Sequence, residues 1–259
     1  MQKRLIRLLS LWLLTGLVAG LAVMSGCGTG NPYPPGSYER GVFFAEKGKN
    51  LEAVSSFESF VRRNPTDSLA AEAQFRKAVT YMKMKEYPLA AVEFQILRKD
   101  YPTSPRVEEA LYQEGMAYLK QVGRIERDIS GAYEARAHFR DFLRTYPDSR
   151  FRPQVEQAMV EISDLIVTKR LREINVYRQL GRYTAVAATL DNILESEQDS
   201  SLLDKVLWER ARAAFRLEKE EEGRGFLQQL VQRYPESDYA DQARRELGPL
   251  SAPADSTGS

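Results

Sequence analysis

The sequence predicts an all-α protein built from consecutive pairs of helices. Apolar residues recur at helical spacing between residues 38 and 247, and no segment shows the strict alternation of a half-buried strand. Short proline-containing segments separate the helical runs, so that an amphipathic run precedes each segment and another follows it. These segments are Asn64–Ser68, Tyr101–Ser104, Tyr146–Ser149 and Tyr234–Ser237.

The proline-containing segments predict where helices end and begin. Proline disfavours the α conformation in the residue before it, so each helix is expected to end at the residue that precedes the proline. A serine follows a few residues later in each segment. Its hydroxyl is suited to accept a hydrogen bond from the unpaired N–H groups of the next helix, which is therefore expected to begin there.

A fixed pattern of small and large residues precedes each proline. A small residue stands twelve positions earlier and a large apolar residue eight positions earlier. Small residues allow paired helices to approach, and the larger side chains fill the space beside them, which is the tetratricopeptide-repeat (TPR) signature. The pattern comprises Ala53, Ala90, Ala135 and Gly223, then Phe57, Phe94, Phe139 and Leu227, with Gly41, Phe44, Ala78 and Tyr81 on the first helices of repeats 1 and 2.

Two of the repeats depart from this pattern. The third keeps Gly115 and Tyr118 but carries an insertion of about eight residues around positions 123–128. The fourth is degenerate, because Gln198 replaces the proline. The positions of the fourth repeat that still fit are Tyr177, Gly181, Tyr183, Val186 and Leu190.

The sequence therefore predicts a TPR superhelix of about five helix pairs with a C-terminal capping helix. Residues 248–259 form a tail of small residues that we expect to be disordered. The predicted helices cover residues 37–47 and 51–63, 68–84 and 87–100, 105–121 and 130–145, 150–180 and 183–196, 200–217 and 219–233, and finally 236–247.

The N-terminal residues 1–26 have the features of a lipoprotein signal peptide. Basic residues precede an apolar run from Leu8 to Val23, and Met24–Cys27 resembles a lipobox, in which the cysteine is acylated. Cys27 is the only cysteine of the chain, so we expect it to carry the lipid; the alternative is an ordinary signal peptide with an incidental cysteine. Residues 27–37 are rich in glycine and proline and predict a tether.

Localisation and chemistry are constrained by a few further observations. Gly28 is not the aspartate that retains many lipoproteins at the inner membrane, so we expect lipid anchoring at the periplasmic face of the outer membrane. The 37 basic residues balance 36 acidic ones, which argues against a nucleic-acid partner. A single histidine, His138, and a single cysteine predict no metal site, no cofactor besides the lipid and no enzymatic activity. We interpret Lys169–Arg172 as an exposed helix face, with a partner-binding patch as the alternative.

The concave face of a TPR stack is lined by residues of the first helix of each pair. The TPR signature has a tryptophan on this helix, and the lining residues stand one, five and eight positions after it. In repeats 1 to 3 these positions carry aromatic, aliphatic and methionine side chains, which suit an apolar or aromatic peptide. The alternative is that they pack only between repeats. The predicted peptide-binding groove comprises Tyr38, Val42, Phe75, Val79, Met82, Tyr112, Met116 and Leu119. Ala45 occupies the third of these positions in the first repeat.

The lipobox, the tether and the five repeats together resemble the BamD family of outer-membrane assembly lipoproteins. Glu126–Asp128 resembles the acidic–arginine–acidic insert of that family, and Leu180–Ala188 is similar to its fourth repeat. The chain departs from the family at Met24 in the lipobox and at Glu197–Gln198, where Tyr-Pro is missing.

The resemblance implies a non-enzymatic subunit of the β-barrel assembly machine. Residues 38–149 would bind the C-terminal segments of unfolded outer-membrane proteins, and residues 150–247 would dock on a periplasmic domain of the β-barrel insertase, with other lipoprotein subunits as further partners. The alternative is a periplasmic TPR scaffold lipoprotein for envelope constriction in cell division or for pilus assembly.

Overall fold

The computed structural model describes residues 31–122 and 128–248, and within these ranges all regular structure is helical. The all-α prediction is confirmed. The signal peptide, Cys27, the first part of the tether, Glu126, Arg127 and the residues after 248 lie outside the described ranges. The helices are α1 Tyr38–Glu46, α2 Asn50–Arg63, α3 Ala70–Lys83, α4 Tyr87–Asp100, α5 Val107–Lys120, α6 Ser130–Thr145, α7 Arg152–Gln179, α8 Tyr183–Ser196, α9 Leu203–Arg216, α10 Glu220–Arg233 and α11 Asp238–Leu247.

Consecutive helices pack on one another along the whole described chain. The five pairs α1–α2 to α9–α10 follow in register, and α11 packs on α9 and α10 at the end of the stack. Every helix end lies within three residues of its predicted position. The predicted superhelix with a capping helix is therefore the observed architecture.

The residues before the prolines end their helices as predicted. Asn64, Tyr101, Tyr146 and Tyr234 are C-cap residues outside the helical region of backbone space. The serines act differently from the prediction, because only Ser237 caps the next helix directly. In the second and third repeats the serine hydroxyl also accepts a hydrogen bond from the N–H two residues later, as that of Ser237 does, but there the bond lies in a turn that precedes the helix.

Close approach of the paired helices explains the small residues. A Cβ atom added to Gly41 would lie 2.5 Å from the ring of Phe57, and one added to Gly115 would lie 2.5 Å from the ring of Phe139. In the fifth repeat the glycine lies on the second helix instead. A Cβ atom added to Gly223 would lie 2.5 Å from the ring of Phe215 on the first helix. The predicted repeat register therefore holds from the first pair to the last.

The fourth repeat replaces Tyr-Pro with a buried ion pair. Glu197, 2% exposed, follows α8 and accepts hydrogen bonds from the guanidinium of Arg136 on α6 at 2.6 and 3.2 Å. Arg136 also donates to the hydroxyl of Ser163 on α7 at 3.3 Å. An interaction between residues 61 positions apart thus joins the third repeat to the fourth.

Candidate peptide-binding surfaces

The predicted groove residues lie together on α1, α3 and α5, the first helices of repeats 1 to 3. Two of them are largely buried: Phe75 is 6% exposed and Leu119 is 5% exposed, because both pack into the core. Leu119 therefore offers little surface to a ligand, whereas Phe75 still contributes to the lining of an open cleft. The half-buried members of the row are Tyr38, Val42, Val79, Met82, Tyr112 and Met116.

Tyr112 is covered by the fourth repeat. Its ring stacks on Phe151, the N-cap residue of α7, with ring centroids 4.9 Å apart and an interplanar angle of 11°. The ring of Phe142 meets the same ring edge-on, with centroids 6.4 Å apart, and burial raises the pKa of the Tyr112 phenol. At this position the structure supports the alternative that the row packs between repeats.

An open cleft remains between the first and second repeats. It has a volume of about 170 Å³, and Ala45, Phe75 and Val79 contribute its apolar lining. The guanidinium of Arg106 lies 4.6 Å from the centroid of the Phe75 ring and donates a hydrogen bond to Glu72 at 2.6 Å. The polar residues that complete the lining are Glu72, Arg76, Thr80, Lys83 and Arg106.

The cleft thus combines an apolar floor with cations at its rim. Hydrogen bonds from Arg106 to Glu72 raise the pKa of the guanidinium, which stays charged. The guanidinium of Arg76 lies 5.7 Å from the ring centroid of Tyr38, at the edge of the first repeat. A ligand that offers an aromatic side chain and a carboxylate would find a partner for each here.

The same three positions of the first helix have a different chemistry in repeats 4 and 5. Successive rows are offset by 37 residues from Tyr38 to Phe75 and from Phe75 to Tyr112, and the same offset relates Leu171 to Trp208. Sequence reasoning missed these rows, although counting from the repeat register would have found them. The two additional rows are Leu171, Asn175 and Arg178 on α7, and Trp208, Arg212 and Phe215 on α9.

Two adjoining clefts follow these rows, and we call them together the C-terminal groove. The first has a volume of about 240 Å³ and the second of about 320 Å³, and Arg178 and Glu209 line both. The other lining residues are Tyr183, Val186, Trp208, Arg212, Ala213 and Arg216 in the first cleft, and Thr168, Leu171, Arg172, Asn175, Leu202 and Lys205 in the second.

Cations outnumber carboxylates in the C-terminal groove. Its lining includes four arginines and one lysine but a single carboxylate, that of Glu209. Arg178 donates to Glu209 at 2.7 Å, and Arg212 donates to Glu246 on α11 at 3.0 Å. Arg172, from the basic segment that we interpreted as an exposed helix face, belongs to this lining.

His138 is packed against an aromatic ring. It stacks on Tyr118 with centroids 4.8 Å apart, and its Nε2 lies 3.7 Å from Oε1 of the fully buried Glu114. The other carboxylate oxygen of Glu114 accepts a hydrogen bond from Arg98 at 2.5 Å. Within residues 31–122 and 128–248, no group of three or more His, Cys, Asp or Glu side chains could hold a metal ion.

Asp128 is the described part of the predicted insert motif. It is exposed, and its carboxylate accepts hydrogen bonds from the N–H and hydroxyl of Ser130 at the start of α6, which lower the pKa of Asp128. Among the helices of the described chain, none has both the length and the apolar content needed to cross a membrane.

Comparison with known proteins gives one family and several remote relatives. A family model described as outer membrane lipoprotein, YfiO, matches residues 33–224. The chain is 24% identical over 165 residues to outer membrane protein assembly factor BamD of Neisseria meningitidis serogroup A, covering 60% of this chain and 62% of that protein. It is 21% identical over 209 residues to the protein of the same name in Vibrio cholerae, covering 75% of this chain and 86% of that protein.

The chain thus spans about three fifths of the length of the Neisseria relative. Among solved structures it is similar to a thermophilic TPR protein of Thermus thermophilus, with 18% identity, a TM-score of 0.34 and coverage of 78% of this chain and 93% of that one. It is also similar to the TPR domain of P58(IPK), with 14% identity, a TM-score of 0.40 and coverage of 81% and 53%.

Proposed function

Because the chain belongs to the YfiO family of outer membrane lipoproteins, we propose that it is a non-enzymatic subunit of the β-barrel assembly machine. The observation that carries the proposal is the continuous family match over residues 33–224, which includes repeats 1 to 4. The relatives named as outer membrane protein assembly factors support it. In this role the protein helps to recognise unfolded outer-membrane proteins and to deliver them for folding and insertion.

The anchor and the docking partners follow from the same proposal. A lipid on Cys27 holds the protein at the periplasmic face of the outer membrane, and the tether gives the repeats freedom to reach their partners. Residues 150–247 dock on a periplasmic domain of the β-barrel insertase, and other lipoprotein subunits of the machine bind as well. No cofactor takes part, and the only covalent addition is the lipid.

Repeats 1 and 2 receive the C-terminal segment of the unfolded substrate. The apolar floor at Phe75 and Val79 suits an aromatic end residue, and the cations at the rim suit its terminal carboxylate. The open cleft between the two repeats favours this location over the third repeat, where Phe151 already covers Tyr112.

A charge placed on the floor of the cleft tests the substrate site. Val79→Glu should weaken binding of a peptide that ends in an aromatic residue by about tenfold or more, because the buried carboxylate costs about 1–3 kcal/mol to desolvate. The measurement is a titration of the purified protein with this peptide, with circular dichroism to establish that the helices remain. Val92→Glu is the matched control, since Val92 is 50% exposed on the second helix of the same repeat.

A second variant covers the case in which Val79→Glu fails to fold. Lys83 is exposed and lines the same cleft, so Lys83→Glu removes a rim cation without disturbing the core. We expect Lys83→Glu to weaken binding of the same peptide, and less so when the peptide carries a C-terminal amide. Unchanged affinity in both folded variants would place the substrate segment elsewhere.

The partner is tested separately. Immobilised protein should retain the β-barrel insertase from a detergent extract of outer membranes, as detected with an antibody against the insertase. Retention of division or pilus proteins without the insertase would instead identify an envelope scaffold, and the proposed role in barrel assembly would be wrong.

A further inference from the structure

We propose that the outer face of the first repeat lies on the phospholipid bilayer that holds the lipid of Cys27. We call this surface the N-terminal face. It comprises Tyr33, Phe43 and Leu51, together with the cations Arg40, Lys47 and Lys49. The proposal rests on the lipid anchor of the proposed function, and it adds a second contact with the membrane, made by the folded repeat itself.

The outer side of α1 lacks the neighbour that later first helices have. Phe43 on this side is half-buried, whereas the residues at the same position of repeats 2, 3 and 5 are small and at most 2% exposed. These residues are Thr80, Ala117 and Ala213. Ala117 packs in a cluster with the second repeat and Ala213 in one with the fourth. The degenerate fourth repeat differs, because it carries the exposed Val176 at this position.

The two ends of the stack also differ in polarity. End repeats need a polar outer face to keep a stack soluble. At the C-terminal end α11 meets this need, because all of its exposed residues are charged. The N-terminal face instead exposes 40% of Tyr33 and 71% of Leu51 beside the half-buried Phe43. Such an end is suited to contact with an apolar or interfacial environment.

Residues 31–37 fold back along α1 and do not lead away from it. Arg40 donates a hydrogen bond to the carbonyl of Tyr33 at 2.9 Å, and the ring of Tyr33 meets that of Phe43 edge-on, with centroids 6.2 Å apart. The side-chain amide of Asn31 donates to the carbonyl of Arg40 at 3.5 Å. The chain therefore lies against the first repeat as far back as Asn31.

This path holds the lipid close to the N-terminal face. Asn31 is four positions after Cys27, and an extended chain spans at most about 3.3–3.6 Å per residue, so the two lie no more than about 14 Å apart. The 14-residue helix α2 is longer, at about 21 Å. With acyl chains on Cys27 inserted in the bilayer, the first repeat is the part of the stack that is held nearest to the headgroups. The occupant that this geometry favours for the N-terminal face is therefore the bilayer.

The side chains of the N-terminal face suit the interface between lipid and water. The ammonium of Lys47 lies 5.9 Å from the centroid of the Phe43 ring. Aromatic rings and cations on flexible stems are typical of membrane interfaces, where the ring enters the apolar layer and the charge stays in water. Three exposed carboxylates, Glu39, Glu46 and Glu52, balance the three cations of the face. The contact should therefore depend on apolar insertion and little on lipid charge.

The first test places a fluorophore on the face of the lipidated protein. Leu51→Cys is labelled with nitrobenzoxadiazole, and the protein is reconstituted in vesicles of phosphatidylethanolamine and phosphatidylglycerol. We expect a blue-shifted emission that nitroxides near the top of the acyl chains quench, because interfacial contacts lie about 5–10 Å deep. Val92→Cys is the matched control, since Val92 is 50% exposed on α4 of the second repeat, and its label should emit as in water.

The other outcomes separate the alternatives. A water-like label at position 51 would overturn the proposal. A blue-shifted label that nitroxide lipids do not quench would also overturn it, because a second copy of the chain or another protein would then cover the face. Failure of the wild-type protein to float with the vesicles would count against the lipid anchor. Floating protein with a water-like label would count against the N-terminal face alone.

The second test removes the aromatic side chains. Tyr33→Ser/Phe43→Ser should abolish the blue shift and the quenching of the label at position 51 while the protein keeps its helical circular dichroism. Leu89→Ser/Val92→Ser is the matched control, because both residues are exposed on α4, and it should leave the label signal unchanged. Tyr33→Ser alone, before α1, covers the case in which the double variant fails to fold, and should reduce the quenching. Unchanged quenching in a folded variant would overturn the role of the aromatic side chains.

A change of lipid tests the balance of charges on the face. In vesicles of phosphatidylcholine alone, the quenching of the label at position 51 should stay within about twofold of that in the mixed vesicles, because a face without net charge gains little from anionic lipid. Quenching that requires phosphatidylglycerol, or that disappears as salt is raised, would show recognition of headgroup charge and overturn the apolar contact.

Discussion

The two halves of the stack place different side chains at the same positions of the repeat. In repeats 1 to 3 the concave positions carry aromatic, aliphatic and methionine side chains, and the open cleft among them has an apolar floor. In repeats 4 and 5 the same positions combine three apolar residues with Asn175, Arg178 and Arg212, and cations outnumber carboxylates in the lining of the groove. The repeat therefore fixes where the concave surface lies, and the residues at a few positions of the first helix fix its chemistry.

The halves also differ in how one repeat is joined to the next. Three repeats end at a tyrosine before a proline, which is a local device. The fourth ends at Glu197, whose carboxylate is held by Arg136 from the third repeat. The boundary between the apolar and the basic half is thus crossed by a buried charge pair.

The largest expected effect is at this boundary. Arg136→Met should lower the free energy of unfolding by about 3–5 kcal/mol, because it leaves Glu197 buried without its partner. Urea unfolding followed by circular dichroism measures the loss. Arg144→Met is the matched control on the same helix: Arg144 is 82% exposed and its pair with Asp141 should contribute about 0–1 kcal/mol.

The double variant Arg136→Met/Glu197→Leu sharpens this result. Removing both charges should recover much of the loss, since a buried pair replaced by apolar groups of similar size is often neutral in stability. If Arg136→Met were no more damaging than Arg144→Met, the two halves would be joined by apolar packing alone.

A smaller effect tests whether both halves share one register. Gly223→Ala should lower the free energy of unfolding by about 1–3 kcal/mol, because the new Cβ would lie 2.5 Å from the Phe215 ring. Gly225→Ala on the same helix should be neutral or stabilise by about 0.5–1 kcal/mol, since nothing lies within 4 Å of its Cβ position. Thermal unfolding of the two variants gives the comparison, and equal melting temperatures would mean that the fifth repeat is not in register with the first four.

The smallest expected effect concerns the edge of the apolar half. A double-mutant cycle with Tyr112→Ala and Phe151→Ala should give a coupling of about 0.5–1.5 kcal/mol in unfolding free energy, because the two rings stack. Tyr112→Ala should leave affinity for the aromatic-ended peptide unchanged. A clear loss of affinity would extend the substrate cleft into the third repeat.

The helices could be predicted closely because their signals are local. The residues before the prolines stop α2, α4, α6 and α10 irrespective of what surrounds them, and the small and large residues of each pair identify the register. The exposure of the concave row could not be predicted in the same way. Tyr112 is covered by Phe151, and Phe75 and Leu119 are buried by neighbouring helices, so their accessibility depends on how the repeats stack.

The Arg136–Glu197 pair was beyond sequence reasoning for a related reason. Nothing within the fourth repeat indicates that Glu197 is buried, because its partner lies 61 residues earlier in the chain. The C-terminal groove was within reach, since Leu171 and Trp208 keep the 37-residue offset. Its fourth-repeat row is the harder one to place, because Gln198 replaces the proline from which the register is counted.

The serial packing of the helices governs how the protein comes apart. In a stack where each element rests chiefly on its neighbours, the end repeats can fray while the middle remains folded. The Arg136–Glu197 pair links helices that are not adjacent in the chain, and it lies at the centre of that stack. Amide hydrogens of α6 to α8 should therefore exchange most slowly, so that the molecule opens from both ends toward its central charge pair.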